Sequence, residues 1–447
     1  MQRALSFDNS PALSVPLRFF LTAPLFALLA ALLLLWVGPQ ALASRWTPHT
    51  LALTHLFTLG VLASAMAGAL MQILPVATGV NVLAPRLTSW LVHALLTSGT
   101  LVLAAAFVLM RPLLFKLALC TLAPALAWLL VACLGGCWRH RRNAAKGAKE
   151  ILQASRLALV ALLLTLSLGG LLAAGFGWPQ FDLPLALLTD AHAAWGLFGW
   201  VGLLVAGMAY QVIPIFQVTE LYPRTLTQWM APLVFTLLVL ATGSMLADTH
   251  TAHAISRAMT ALLLAAYAIF AGVTFYLLWT RKRPKPDTTT LFWRTAMLSL
   301  ASCAPLGAAQ LVTGTDYSVT LGILFIVGFG WSAVNGMLYK ILPFLLWYHA
   351  QKNLTIALRI VPKVKDIIPD PVARRQFRVH LCAVLLLTAA SLWPAPFTHA
   401  AAIALAASAA WLGWNMAGAI RLYLKVKKQI EIGRMQGQHN AAQAVYS

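Results

Sequence analysis

Two histidines stand in apolar stretches of this sequence. His55 lies in "THLFTLG" and His192 in "DAHAAWGLFGW". They precede Pro75 and Pro214 by 20 and 22 residues, so we expect the two imidazoles at similar depths in the helices that carry them. An imidazole in an apolar helix bundle is costly unless it is paired, and a neutral imidazole is a good ligand for iron or another metal. Two interpretations stay open: a heme or metal ligand, and a histidine hydrogen-bonded to backbone or to a loop.

A second group of polar residues occurs in the segment "DTHTAH", which contains Asp248, His250 and His253. An H-x2-H pair with a nearby carboxylate is a pattern that binds copper or zinc. The alternative is a short solvated loop that happens to contain histidines. Three other histidines are expected at the membrane interface, near inner helix ends: His93, His349 and His380.

The composition predicts that these residues lie in a membrane. Of the 447 residues, 60% are hydrophobic and 10% are charged, and the mean hydropathy is +0.80. A soluble domain cannot hide that much apolar surface, so we predict an all-α polytopic membrane protein that contacts lipid. About twelve apolar runs are long enough to span a bilayer, beginning near Leu17, Leu51, Leu87, Leu113, Leu157, Leu185, Trp229, Ala254, Phe292, Leu321, Val379 and Ile403.

The charge distribution predicts the orientation. The formal net charge is +21, and the basic residues gather in loops after even-numbered helices, for example in "TRKRPKPD" and "RLYLKVKKQ". By the positive-inside rule these loops are cytoplasmic, which places both termini inside a bacterial-type inner membrane. The basic excess is then a topology signal with some attraction to anionic lipid. No aromatic–basic interleaving or nucleic-acid-binding motif occurs, so nucleic acid is not expected as a partner.

One sequence pattern occurs three times. The stretches "GALMQILP", "GMAYQVIP" and "GMLYKILP" end at Pro75, Pro214 and Pro343, and a further glycine precedes each by eight residues. The copies fall on predicted helices 2, 6 and 10, which implies four helices per unit within a single integral membrane domain, residues 1–447. The units are roughly 17–110 with the C-terminal helices, 111–225 and 226–350, with helices 11–12 at 376–425. Lys340 replaces the glutamine of the other copies; we expect it to snorkel to the inner interface or to join a polar pathway with Asn335.

Twelve helices in three arcs of four resemble subunit I of the heme–copper oxidases, including their nitric oxide reductase and NnrS-like relatives. In that family a heme-ligating histidine lies near the start of helix 2, where this chain has His55. A copper-ligating histidine lies on helix 6, where this chain has His192. The family's adjacent histidine pair on helix 7 and its histidines on helix 10 are missing here. The resemblance therefore implies an NnrS-like heme protein and not a complete oxygen-reducing centre.

The function expected from the sequence is heme-based. We predict a b-type heme ligated by His55, by His192 or by both, with copper as a second metal that the pattern allows. Such a protein would bind or reduce a small diatomic such as nitric oxide, as an oxidoreductase, or transfer electrons to a respiratory partner. A cofactor-free permease with a polar central cavity and an assembly partner of a respiratory complex are the alternatives. Carboxylates deep in the helices are missing from the sequence, which argues against a proton pump.

Overall fold

The protein is described from a computed structural model. The structure describes residues 7–140, 149–247, 249–351 and 360–445, with side chains as far as residue 432. The described residues form helices and no strand, so the predicted all-α class is confirmed. The twelve long helices are α1 Ser14–Val37, α2 Pro48–Thr78, α3 Pro85–Leu109, α4 Pro112–Arg139, α5 Lys149–Gly177, α6 Leu185–Gln217, α7 Arg224–Met245, α8 His250–Trp279, α9 Thr288–Thr313, α10 Ser318–Ala350, α11 Asp370–Leu392 and α12 Pro394–Val445.

Eleven of these described helices, all except α11, are long and apolar enough to cross a membrane. Several begin at recognisable signals. Prolines stand at the first positions of α3 and α4, where the missing N–H costs no hydrogen bond. The side chains of Thr47 and Asp287 accept backbone N–H groups at the starts of α2 and α9. The chain is thus a multi-pass membrane protein.

Three helices form the centre of the bundle. More than three quarters of the apolar segment is buried in α2, α6 and α10, against half or less in the other apolar spans of the described chain. Their π-helical segments are in contact: α10 touches both α2 and α6 there, with the Phe198 and Phe325 rings 5.3 Å apart. These are the three helices that carry the repeated sequence pattern.

The three central helices share a local distortion at matched positions. Each contains an eight-residue π-helical segment, Leu56–Ala63, Trp195–Gly202 or Leu324–Trp331. Each segment ends 12 residues before the proline of its copy. A π-helical segment adds a residue to a turn and is found mostly at functional sites. The distortion is therefore a repeated feature of this chain and directs attention to the residues beside it.

The glycines of the pattern allow close helix packing. In every copy both glycines face the helix that precedes their own: Gly60 and Gly68 face α1, Gly199 and Gly207 face α5, and Gly328 and Gly336 face α9. A Cβ added at Gly199, for example, would lie 2.7 Å from the Cβ of Ala161, which is closer than real side chains approach. The three copies thus pack in the same way. Superposition of three four-helix units about one axis stays a prediction.

Candidate functional site

The structure brings His55 and His192 together. His55 is the last residue before the π-helical segment of α2, and His192 lies three residues before that of α6. Their ring centres are 6.2 Å apart and the ring planes are inclined by 23°. The two histidines selected from the sequence therefore form a pair between two central helices.

Both rings are oriented by backbone carbonyls. His55 Nδ1 lies 2.8 Å from the carbonyl oxygen of Leu51, and His192 Nδ1 lies 3.0 Å from that of Thr165 on α5. Because a carbonyl oxygen only accepts hydrogen bonds, each Nδ1 must carry the proton. The Nε2 atom of each neutral ring then has a free lone pair, and neither Nε2 hydrogen-bonds to another described residue. This arrangement is the one that usually supports a histidine ligand of a metal.

The surroundings of the pair are apolar and closely packed. Phe107 lies beside His55, with ring centres 5.2 Å apart and planes inclined by 25°, and it contacts Phe115 and Phe176 in turn. On the other side, Gly169 of α5 makes room for His192, since a Cβ at this position would lie 2.8 Å from His192 Cε1. Aromatic rings thus flank His55, and a glycine leaves room for His192.

The nearby charges lie at the helix ends beyond the pair. Arg45, in the connection before α2, forms an ion pair of 2.7 Å with Asp190, two residues before His192. Arg45 also acts on Asp316, in the connection before α10. Hydrogen bonds from Ser318 chiefly hold the pKa of Asp316 below its ordinary value, and the positive charge of Arg45 adds to this effect. Because these side chains are partly exposed, their ion pairs stabilise the fold little. Asp190 nevertheless holds the Arg45 cation close to the start of α6, two residues before His192.

The two histidines of the second predicted metal site lie in a helix and not in the expected loop. His250 and His253 lie in the first turn of α8, on one helix face and exposed, while Asp248 lies outside the described residues. Across the described part of the chain, no three His, Cys, Asp or Glu side chains are grouped closely enough to hold a metal ion. Copper or zinc binding by His250, His253 and Asp248 stays a prediction.

The end of the bundle that contains the Thr280–Asp287 connection is called here the basic end. It carries a cluster of charged side chains that sequence reasoning missed. Asp287 lies 2.8 Å from Lys340 Nζ and 3.9 Å from Arg281 Nη1, and Arg281 also donates to Gln217. Lys340 pairs with the carboxylate that caps the start of α9, and its position relative to the membrane interface stays a prediction. The lysine in the third copy was the available signal, but its partner could not be read from the sequence.

A cavity of about 80 Å³ lies between α2, α6 and α10. Its walls are apolar and include one methionine from each central helix, namely Met66, Met208 and Met337.

No model of a known protein family matches the chain, and a search of curated proteins gives no significant match.

Proposed function

We propose that this protein is a multi-pass inner-membrane heme protein in which His55 and His192 bind one b-type heme, and that it transfers electrons to or from a respiratory partner. The observation that carries the proposal is the imidazole pair: two neutral rings from two central helices, each with Nδ1 tied to backbone and Nε2 left over. The resemblance to NnrS-like proteins, based on helix number and repeat period, supports the same assignment.

The separation of the rings fits two ligands of one metal. Two imidazoles that bind a metal from opposite sides have ring centres about 6.3 Å apart, because a metal–nitrogen bond is about 2.0–2.1 Å and the ring centre lies roughly 1.1 Å behind its nitrogen. The observed separation is 6.2 Å. Offset stacking of two rings without a metal is the competing explanation of the same distance.

Ligation by both histidines favours electron transfer over binding of a diatomic. A heme supplies reversible one-electron chemistry, and it binds nitric oxide only where one axial position is open. Here the backbone bonds of His55 and His192 hold both rings in place. If a heme were bound, His55 and His192 would hold it, with the His192 ring tied to α5 and the His55 ring tied to its own helix.

The test is an optical spectrum of the detergent-purified protein with matched variants. We expect a Soret band in the wild type, its loss or a large decrease in His55→Ala and His192→Ala, and no change in His399→Ala, which removes an exposed histidine from the start of α12. Low-spin iron would indicate two histidine ligands, whereas high-spin iron would indicate one. Metal analysis of the same sample separates a heme from a single copper ion held by the same two nitrogens.

Several results would contradict the proposal. A colourless wild-type protein that also fails to bind added hemin would exclude the heme and favour the permease. A colourless protein that co-purifies with respiratory subunits would favour the assembly role. A Soret band that persists in both histidine variants would place the heme elsewhere in the bundle.

A further inference from the structure

The cavity of about 80 Å³ between α2, α6 and α10, called here the central cavity, is lined by equivalent residues of the three repeated copies. Counted back from Pro75, Pro214 and Pro343, the positions 10, 9, 6 and 2 residues earlier line it in every copy. Ten residues before the proline stand Ala65, Leu204 and Ala333, and six residues before it stand Ala69, Met208 and Met337. The cavity is therefore a product of the repeated pattern and not of one irregular side chain.

A second cavity of about 50 Å³ adjoins the central cavity on the side of the basic end. The two share one wall residue at the same position of each copy, namely Ile73, Val212 and Ile341. Beyond these, the second cavity is lined by the residues that directly follow the three prolines, Val76, Ile215 and Phe344. Unfilled space thus continues along the centre of the bundle over about three helical turns.

The side chains around the central cavity leave no N–H or O–H group free. Among the described residues that line it, Trp293 of α9 is the one whose side chain carries such a group, and its indole Nε1 donates to Met337 Sδ at 3.2 Å. An internal water molecule needs about two to four polar partners, and an apolar cavity without them stays dry. Because empty space deprives the wall atoms of dispersion contacts, an apolar guest that restores these contacts is favoured.

The volume limits the size of such a guest. An apolar cavity of about 150 Å³ binds benzene or xenon. The central cavity has about half that volume, which leaves room for one xenon atom or one diatomic molecule but not for an aromatic ring. The thioethers of Met66, Met208 and Met337 are polarisable, so they strengthen dispersion contacts with a polarisable guest.

We propose that the central cavity is a binding site for one small apolar gas molecule, of which dioxygen is an example. Such a molecule has no charge and needs no hydrogen-bond donor, which matches a wall without a free one. A bound gas molecule stabilises the native bundle, because the cavity exists in the folded state alone. The inference does not depend on the heme, since the cavity begins ten residues, about 15 Å, along α2 from His55.

Methyl NMR of the detergent-purified protein under xenon pressure tests the site, with carbon-13 in the methionine ε-methyl groups. We expect the signals of Met66, Met208 and Met337 to shift with xenon pressure and to reach a plateau. The signal of Met416 of α12, which is buried but does not line the cavity, should stay in place. Dissolved dioxygen, which is paramagnetic, should broaden the three cavity signals several-fold more than that of Met416. Shifts that are absent, or that are equal at Met416, would overturn the proposal.

A variant that fills the cavity locates the bound gas. Ala69→Met gives the first copy the methionine that the other two copies have at this position. We expect it to abolish the xenon-dependent shifts of Met208 and Met337. Ala410→Met, which adds a methionine at an exposed position of α12, should leave these shifts unchanged. Shifts of full size in Ala69→Met would place the xenon elsewhere and contradict the proposal.

A variant that enlarges the cavity tests the size limit. Leu204→Ala gives the second copy the alanine that the other two copies have at this position. Because truncation of a buried leucine leaves additional space, we expect benzene to shift the cavity methyl signals in this variant and not in the wild type. Benzene-dependent shifts in the wild type, or none in Leu204→Ala, would refute the volume argument. Xenon shifts that appear only after lipid extraction would show that an acyl chain occupies the cavity and would overturn the proposal.

Discussion

Replacing Asp287 by Asn tests whether the basic-end cluster stabilises the fold through charge. The Asp287 carboxylate pairs with Lys340 at 2.8 Å, lies 3.9 Å from Arg281, and accepts the backbone N–H of Thr290 at the start of α9. Asparagine caps a helix about as well as aspartate does. Asp287→Asn therefore removes the negative charge, leaves the cap and leaves two cations without their shared anion.

The expected loss of stability lies between the values measured for fully buried and for exposed ion pairs. Removing one partner of a fully buried pair costs about 3–5 kcal/mol, and an exposed pair contributes about 0–1 kcal/mol. The Asp287 and Lys340 side chains are 20% and 28% exposed. We therefore expect Asp287→Asn to lower the free energy of unfolding by about 2 kcal/mol, and Asp287→Ala, which also loses the cap, by about 3 kcal/mol.

A second substitution separates charge from packing. The other two copies of the repeat carry glutamine, Gln72 and Gln211, where the third has Lys340. In the double variant Asp287→Asn/Lys340→Gln the unpaired lysine is gone, so we expect at least half of the lost stability to return. Unfolding in a mixed detergent–denaturant titration, followed by tryptophan fluorescence, measures the series. An Asp287→Asn protein as stable as the wild type would refute the reasoning. So would a double variant whose loss of unfolding free energy equals the sum of the losses of the two single variants.

The same carboxylate predicts a pH dependence. Burial alone would raise the pKa of Asp287, but the charge and hydrogen bond of Lys340 together with the hydrogen bonds of Thr290 outweigh burial and hold the pKa below its ordinary value. A group whose pKa is lowered by folding stabilises the protein above its ordinary pKa, about 4 for aspartate, and that stabilisation is lost as the pH falls further. The wild type should therefore lose stability in acid more steeply than Asp287→Asn. Parallel acid-unfolding curves would contradict this prediction.

Three further predictions follow from glycine contacts and from loop charges. Gly169→Ala should shift the His192 ring and weaken the Soret band, whereas Gly170→Ala, whose Cβ would be an ordinary 3.6 Å from its nearest neighbour, should not; spectra of the two variants decide this. Gly68→Leu should destabilise the protein, because a Cβ there already lies 3.0 Å from α1, whereas Gly243→Leu meets nothing within 4 Å and should be tolerated in the same unfolding assay. A topology reporter in the connection after α8 should read cytoplasmic, and one in the connection between α5 and α6 periplasmic; the reverse result would invert the assigned orientation.

The sequence alone was sufficient for the helices and for the histidine pair. Hydropathy and length predict the spans, because a bilayer imposes a minimum apolar length on every helix. The pair was predictable because His55 and His192 occupy similar depths relative to Pro75 and Pro214, so their distance from a common reference could be counted. The repeated glycines lie on α2, α6 and α10, but the central position of these helices is a finding of the structure and was not predicted.

The partners of buried polar groups were not predictable. His380 reads as interfacial because it lies near an inner helix end, yet the inward face of α11 buries it against Ser332. Which helix face turns inward depends on packing against α10 and α12, and one sequence contains no record of those contacts. The π-helical segments were missed for a related reason. The apolar residues that form them have no composition that distinguishes them from an α-helix.

The third copy differs from the other two in chemistry, although its backbone distortion is the same. Ile323 and Leu321 stand 20 and 22 residues before Pro343, the spacings of His55 and His192 from their own prolines. The π-helical segment is kept in α10 without any imidazole beside it, so metal binding cannot be its only cause. Contact with another π-helical segment at the centre of the bundle is a feature common to all three. The first two copies carry the imidazole pair beside this distortion, whereas in the third copy Lys340 pairs with Asp287 and Ser332 hydrogen-bonds to His380 of α11. The His55–His192 pair and Lys340, the partner of Asp287, thus lie on different members of the three central helices, although all three carry the same sequence pattern.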